Sequence, residues 1–288
     1  MTGSHEPSVT VCINDPLASV VYFSVLPAAG GPRIIERLMK IATWNVNGIR
    51  ARGSQVADWL ARERPDVLCL QEIKASSDQI PALILDFGGY SCYWHGSKGY
   101  SGVAMLVRCE PSDVRPDFSH PHFDYETRIV TSRIGGVVVA STYVPNGGKD
   151  FDGKMRFLGE LVNEAASLRR EGRPLVLCGD INVARAEIDV HPKERKPRAI
   201  GQRPEERALF EKLLEQGLVD VGRAVDPDND GLFTWWAPWR NMRQRNIGWR
   251  LDYVLASRGI ADRVTSCRVD AAFGTSDHAP VVAEFELA

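Results

Sequence analysis

Cysteine is scarce and unpatterned in this chain. Its six cysteines, Cys12, Cys69, Cys92, Cys109, Cys178 and Cys267, include no CxxC pair, so neither a thiolate metal centre nor a disulfide framework is offered. Cys69 and Cys178 lie inside apolar runs, where a thiol behaves as a small hydrophobe. No structural disulfide and no zinc are expected, and the usage suits a reducing, cytoplasmic setting. Long apolar runs are lacking too. Leu17 to Ala29 is too short to span a bilayer comfortably, and only Glu6 and Asp15 precede it, with no Lys or Arg of the kind a signal peptide needs. No membrane partner is expected. Charge of one sign is not in excess: the formal net charge is -2 and the pI about 6.3. That excludes a protein coated in basic charge, while leaving room for a local basic face. No Gly/Ser linker, low-complexity tract or internal repeat interrupts the chain after Met39. With 288 residues and 44% hydrophobic content, one sizeable core and a single domain over 39–288 are expected, as a monomer.

What the chain does have is a series of apolar strands that end on polar residues. Lys40 to Gly48 alternates so that Asn45 and Asn47 fall on one side of a pleat. Val67-Leu68-Cys69-Leu70-Gln71 runs into Glu72, and Val137 to Thr142 runs into Tyr143-Val144-Pro145-Asn146-Gly147, where Pro and Gly stop the strand. Leu175 to Cys178 leads to Gly179-Asp180-Ile181-Asn182, with Asp180 and Asn182 on one side if the backbone stays extended. Arg250-Leu251-Asp252-Tyr253 and Ser276-Asp277-His278 complete the set. Taken singly, each has a plain structural explanation: an Asp-His pair as a turn or cap, Asn146 as an Asx-type turn, Asp180 as a cap. Caps and turns do not explain why so many apolar strands in one chain end on a carboxylate or an amide.

Strand ends held by a rigid sheet present such groups to one point. The inventory has several carboxylates, two carboxamides, one phenol, one histidine and no thiol. Hard oxygen donors of this kind suit Mg2+ or Mn2+, completed by waters and a substrate phosphate. Phosphodiester hydrolysis needs a positioned water, stabilised phosphoryl oxygens and help for the leaving oxygen. Asp180 can take or orient the water, Asn182 and His278 can donate to phosphate oxygens, and Glu72 can hold the metal.

The stretches TWNVNGIRAR, PDVLCLQEIK, YSGVA, YVPNGGK, GDINVA, TWWAPWR, NIGWRLDY and TSDHAPV resemble the exodeoxyribonuclease III family of abasic-site endonucleases, within the endonuclease/exonuclease/phosphatase superfamily. The resemblance runs from Met39 to the C-terminus. It implies an α/β fold, a four-layer α/β sandwich of two mixed β-sheets packed face to face with helices outside. It implies a DNA repair hydrolase that cuts 5′ to abasic sites in duplex DNA, with 3′-to-5′ exonuclease and 3′-end-cleaning activity. Glu72 then matches the principal metal carboxylate, Asn47 its neighbour, and Asp277 a group near the metal. Asp180 matches the residue that orients or deprotonates the attacking water, Asn182 the group beside it, His278 the histidine at the scissile phosphate, and Asp252 the carboxylate that orients it. Tyr143 and Asn146 match phosphate-side contacts, and Arg50, Lys74, Tyr100 and Lys149 fall with Asn146 on the DNA-binding side. Which of Asp180, Tyr143 or a metal-bound water is base or leaving-group acid stays open. Because the pattern begins at Met39, residues 1–38 are expected to be an extension upstream of the natural start.

Specificity is expected from the aromatic and arginine-rich segment near the C-terminus. Phe233, Trp235, Trp236, Trp239 and Trp249 interleave with Arg240, Arg243, Arg245 and Arg250, a pattern suited to stacking on bases and neutralising phosphates. By resemblance, Trp235, Trp249 and Leu251 wall a small apolar pocket for a flipped-out deoxyribose, with Trp239 at a wedging position; flipping costs least where no base stacks or pairs. Tryptophans in an α/β protein are mostly core, and Trp44, Trp59 and Trp236 are assigned there. The chain departs from the family at Glu126-Thr127-Arg128, where Gly usually stands at the middle position. Its 192–198 loop is also unusually basic, suited equally to tracking a phosphate backbone or to plain solvation. Two other readings remain: a superfamily cousin acting on other phosphoesters, and a damaged-DNA-binding module without catalysis. Periodicity predicts helices over 54–62, 154–170 and 204–216 and strands over 102–108, 128–134, 137–142, 250–255, 268–271 and 281–285.

Overall fold

The computed structural model describes residues 37–85, 87–97, 99–109 and 116–287; the expected extension lies almost wholly outside them. In chain order the strands are β1 (Arg37–Asn45), β2 (Val67–Gln71), β3 (Tyr90–Ser97), β4 (Tyr100–Arg108), β5 (Phe118–Ser119), β6 (Ile129–Ile134), β7 (Val137–Tyr143), β8 (Leu175–Asp180), β9 (Leu218–Asp220), β10 (Asp252–Ser257), β11 (Val264–Val269) and β12 (Val281–Leu287). The helices are α1 (Ile49–Glu63), α2 (Ala82–Leu85), α3 (Phe151–Arg170), α4 (Pro204–Leu214), α5 (Val221–Val225) and α6 (Arg258–Ala261).

Two six-stranded sheets form, in the orders β11-β12-β1-β2-β4-β3 and β5-β6-β7-β8-β10-β9. Each has one parallel pair at its centre, β1 with β2 and β7 with β8, flanked by antiparallel neighbours. In each sheet that parallel pair is joined through a long helix, α1 or α3, as a parallel connection requires. Strand alternation sends Ile41, Val67, Cys69, Val139, Val176, Cys178 and Val254 into the core between the sheets, while Ala42, Leu68 and Leu70 meet Val56, Trp59 and Leu60 of α1 on one outer face. Leu175, Leu177 and Leu255 meet Phe157, Leu158 and Leu161 of α3 and Phe210 and Leu213 of α4 on the other. The result is the four-layer α/β sandwich.

Trp44, Trp59 and Trp236 are buried as assigned, and Cys69, Cys92, Cys109, Cys178 and Cys267 are not joined in disulfides, with Cys12 outside the described residues. α1 begins five residues before the predicted start, because the chain turns at Asn47-Gly48 and enters the helix at once. The strand predicted over 268–271 is displaced: β11 covers 264–269, and 270–273 forms a turn in which the Phe273 N–H donates to Asp270 O while the Asp270 N–H donates to Pro280 O. The side chains of this strand are only half buried, so little apolar alternation marks its bounds.

Candidate active site

The polar strand ends meet at one edge of the sandwich because of register. Tyr143 of β7 pairs with Asp180 of β8, and Asp180 with Asp252 of β10, placing three polar residues in a row across one sheet. In the facing sheet Asn45 of β1 lies beside Gln71 of β2, which leads into Glu72. β10 runs antiparallel to β8, so its first residue and the last of β8 share this edge.

The strands do not simply continue past it. Asn47, Glu72, Lys74 and Asn182 all adopt left-handed backbone, with φ of 46°, 50°, 48° and 54°. Such conformations cost about 1–3 kcal/mol each in non-glycine residues and persist only when the surroundings enforce them. The enforcement is visible: the side chain of Asn45 accepts the N–H of Asn47 at 3.0 Å, and that of Asp180 accepts the N–H of Asn182 at 2.9 Å. Both are Asx-type turns. The extended backbone expected through 47 and 182 is therefore corrected: the strands stop at Asn45 and Asp180, and tight turns bring the next polar residue back. Gly179 permits this, because a Cβ there would lie 1.9 Å from the Thr142 carbonyl oxygen.

Asn45 ties the two sheets together. Its Nδ2 donates to Glu72 Oε1 at 3.0 Å and to Asp180 Oδ2 at 3.0 Å. Its side of the pleat is legible in the alternation of Lys40 to Gly48, but this bridging role is not. Asn182 Nδ2 donates to Val144 O at 3.0 Å and Asp180 Oδ2 at 3.1 Å. Both of its amide hydrogens are thereby used, so the expectation that Asn182 donates to a phosphate is replaced by one in which it orients Asp180. Asp252 Oδ2 lies 2.8 Å from His278 Nδ1, and His278 Nε2 lies 3.9 Å from Asp180 Oδ2. Thr234, which sequence reasoning missed, accepts the N–H groups of Leu251 and Asp252 on one hydroxyl. Ser276, given no role of its own from the sequence, donates to Asn45 O at 2.7 Å.

Burial and charge set the protonation. Burial alone would lower the His278 pKa, but Asp252 and Asp180 outweigh it and hold it up to about 10. Asp180 is pushed up to about 7 by burial, with His278 opposing and Asp252 and Glu72 adding to the rise. Glu72 and Asp277 are lowered: burial resists, but Asn45 and Lys74 act on the first, and His278, Asn47 and Trp235 on the second. Burial, with Glu72 and Asp180, keeps the Tyr143 phenol protonated. Its ring lies under the guanidinium of buried Arg128, 4.7 Å from the centroid.

Lys74, expected on the DNA-binding side, instead places its ammonium 2.6 Å from Glu72 Oε2 and 2.6 Å from Asn47 Oδ1. A cation thus already bridges two residues expected at the metal. Asn47 Nδ2 donates to Asp277 Oδ1 at 2.8 Å, and Trp235 Nε1 to Asp277 Oδ2 at 3.0 Å. One ligand atom from each of Glu72, Asp180 and His278 falls within 4.8 Å of the others.

These groups open into a cavity of about 290 Å³ whose wall also includes Tyr143, Asn146, Asn182, Ile200, Gly201, Trp235, Trp249, Leu251 and Asp277. Trp235 and Trp249 meet edge to face at 5.7 Å. At the rim, Asn146, Lys149 and Tyr100 are exposed, with the Lys149 ammonium 5.8 Å over the Tyr100 ring. Arg50 is exposed in the first turn of α1, and Trp239 is 59% exposed on a neighbouring surface. The interleaved arginines divide. Arg240 and Arg245 face solvent. Arg250 does not: it is buried between Asp189 and Asp220, with four hydrogen bonds of 2.6–3.2 Å. Arg243 is spent on the carbonyls of 271, 273, 274 and 276. Phe233 is core. Alternation along a sequence cannot tell a surface arginine from one that balances buried carboxylates. The 192–198 loop is largely exposed.

Among the described residues, no helix is long and apolar enough to cross a membrane. Residues 42–278 match the Endonuclease/Exonuclease/phosphatase family. The chain is 38% identical over 252 residues to the DNA repair nuclease APEX1 of Danio rerio, covering 84% of this chain and 81% of that protein. It is 37% identical over 251 residues to an exodeoxyribonuclease of Bacillus subtilis, covering 84% and 98%. The structure resembles that of a Neisseria 3′ phosphatase, NExo, bound to a product DNA hairpin, with a TM-score of 0.78, 36% identity, and 86% and 100% of the chains covered. Family, fold and converging strand ends agree: the chain belongs to the endonuclease/exonuclease/phosphatase superfamily and, within it, is a nuclease of the metal-dependent exodeoxyribonuclease III and abasic-site endonuclease family.

Proposed function

We propose that this protein cleaves the phosphodiester 5′ to abasic sites in duplex DNA, leaving a 3′-hydroxyl and a 5′-deoxyribose phosphate, and trims 3′ ends in the same pocket. The observation that carries this reading is the junction of two chemistries in one cavity, which is lined both by His278, Asp180 and Glu72 and by Trp235, Trp249 and Leu251. An apolar wall beside a phosphate-directed cluster suits a sugar that has lost its base, because a full nucleotide fills more space and pays more to leave the stack.

The donor set fits Mg2+ or Mn2+, since it offers hard oxygens and a lysine ammonium already bridges two of them. Glu72 would hold the ion, with Asn47 and Asp277 beside it; when bound it supplies charge stabilisation at the phosphate. The remaining work falls to the chain. His278, cationic at neutral pH and held by Asp252, donates a hydrogen bond to a phosphate oxygen, and its charge is strongest where the transition state is most negative. Asp180, poised near neutrality and oriented by Asn45 and Asn182, accepts the proton of the attacking water. Tyr143, kept as a phenol, is a donor on the same side. Asn146, Lys149, Tyr100, Arg50 and Trp239 are assigned to the flanking DNA.

A second use of the site, removal of a 3′-terminal phosphate, is favoured by the relative named a 3′ phosphatase. End-labelled duplexes, one intact and one with a single abasic site, incubated with Mg2+ and with chelator, test the reading. A single metal-dependent cut on the 5′ side is expected. Binding without cutting would instead mark a damaged-DNA-binding module, and inertness toward both duplexes a cousin acting on other phosphoesters.

A further inference from the structure

A second cluster of metal-ligating side chains lies away from the pocket, where the edges of the two sheets approach each other. His95 belongs to β3, the edge strand of one sheet, and His120 and Asp124 to the connection between β5 and β6 at the edge of the other. One ligand atom from each of the three falls within 4.8 Å of the others. His95 Nε2 lies 2.5 Å from Asp124 Oδ2, and the His95 and His120 rings stack with centroids 4.4 Å apart. Asp124 is not a loose surface acid. Its side chain is 5% exposed, and its other oxygen accepts the N–H groups of Arg128 and Ile129 at 2.8 and 3.1 Å. His95 is 6% exposed, and its Nδ1 is buried without a hydrogen-bond partner. A buried ring nitrogen left in that state is costly, and such exceptions call for an explanation.

We propose that His95, His120 and Asp124 form a second metal site that takes one ion of the Zn2+ or Co2+ type, with solvent completing the shell. Two imidazoles and one carboxylate suit these ions, whereas Mg2+ prefers oxygen alone, so the two sites differ in chemistry as well as place. Cysteine spacing cannot reveal this set, because it contains no cysteine. Bond lengths of about 2.0–2.2 Å require the close His95–Asp124 contact to open and the His120 ring to tilt inward. His120 is exposed and can do so. The ion would clip β3 to the β5–β6 connection across 29 residues of chain between His95 and Asp124. Through Asp124 it would steady the turn that delivers Arg128 to Tyr143.

The test uses the full chain, stripped with chelator, in a Glu72→Gln background that weakens the pocket's own metal binding. Titration with Co2+ is expected to give one strongly bound ion per chain with the visible absorption of four-coordinate cobalt. His120→Ala, at an exposed position, should abolish that spectrum and lower the bound stoichiometry by one, with the circular dichroism unchanged. His122→Ala, at an exposed neighbour, should leave both intact. Saturating Zn2+ should raise the melting temperature only where His120 is present. An unchanged cobalt spectrum in His120→Ala, its loss in His122→Ala, or no bound ion at all would overturn the site and leave His95 and Asp124 as a hydrogen-bonded pair.

Discussion

Lys154 and Glu206 form a fully buried ion pair, 2.5 Å apart with neither side chain exposed. The Lys154 ammonium also donates to Asn182 O at 2.7 Å and Asn146 O at 3.4 Å, and the Glu206 carboxylate accepts the N–H groups of Gly201 and Arg203. Asn146, Asn182 and Gly201 all line the cavity, so one pair anchors three of its loops. Lys154→Met strands the carboxylate. Removing one partner of a buried pair costs about 3–5 kcal/mol. The lower end applies here, about 3 kcal/mol, because Glu206 keeps its amide donors. Lys154→Met/Glu206→Gln removes the stranded charge while retaining an acceptor for Gly201, and should recover at least about 1.5 kcal/mol of that loss. Burial lowers the Lys154 pKa against the pull of Glu206, consistent with a pair whose desolvation offsets much of its attraction. Urea unfolding of the wild type, both single variants and the double variant closes the cycle. The single variant should also raise KM for an abasic duplex, since the loops lose their common anchor. A cost below about 1 kcal/mol for Lys154→Met, or a double variant as unstable as the sum of the singles, would refute the reasoning.

Three other outcomes follow from the site. His278→Ala should lower turnover by orders of magnitude while binding of damaged DNA survives, because the hydrogen bond it removes acts mainly on the transition state; single-turnover cleavage and a binding titration separate the two. Asp252→Asn should bring the His278 pKa down from about 10, read by NMR of the imidazole in chelated protein; an unmoved titration would remove Asp252 as its support. Trp249→Ala should erode the preference for abasic over intact duplex more than the rate of phosphodiester cleavage, and an unchanged substrate ratio would return Trp249 to ordinary core. Stability against acid supplies a further check at Asp189. Although burial acts to raise its pKa, Arg250 and Arg223 hold it below 3.8. Its contribution is therefore complete above pH 3.8 and drains away as pH falls through the depressed folded value. Asp189→Asn should flatten the acid limb of the stability curve below about pH 4; an identical limb in wild type and variant would exclude it.

What the sequence by itself determined is the set of strand ends. Val67 to Glu72, Val137 to Tyr143 and Leu175 to Asp180 are short apolar runs stopped by polar residues, and the pleat's period of two survives any tertiary arrangement. The long helices α1 and α3 were legible for the same reason, through an apolar stripe at helical spacing. The tertiary structure alone decided which groups meet. That Asn45 bridges Glu72 and Asp180 depends on strand pairing within one sheet, 27 residues apart, and on the second sheet facing it, 135 residues away, separations no local pattern encodes. The same holds for arginines of equal appearance: Arg245 faces water, whereas Arg250 lies inside because Asp189 and Asp220 are buried beside it. Asn182 is the finest case. Its identity was readable, but whether its amide is free to donate or already spent on Asp180 and Val144 rests on a left-handed turn, and only the packed chain holds a non-glycine residue there.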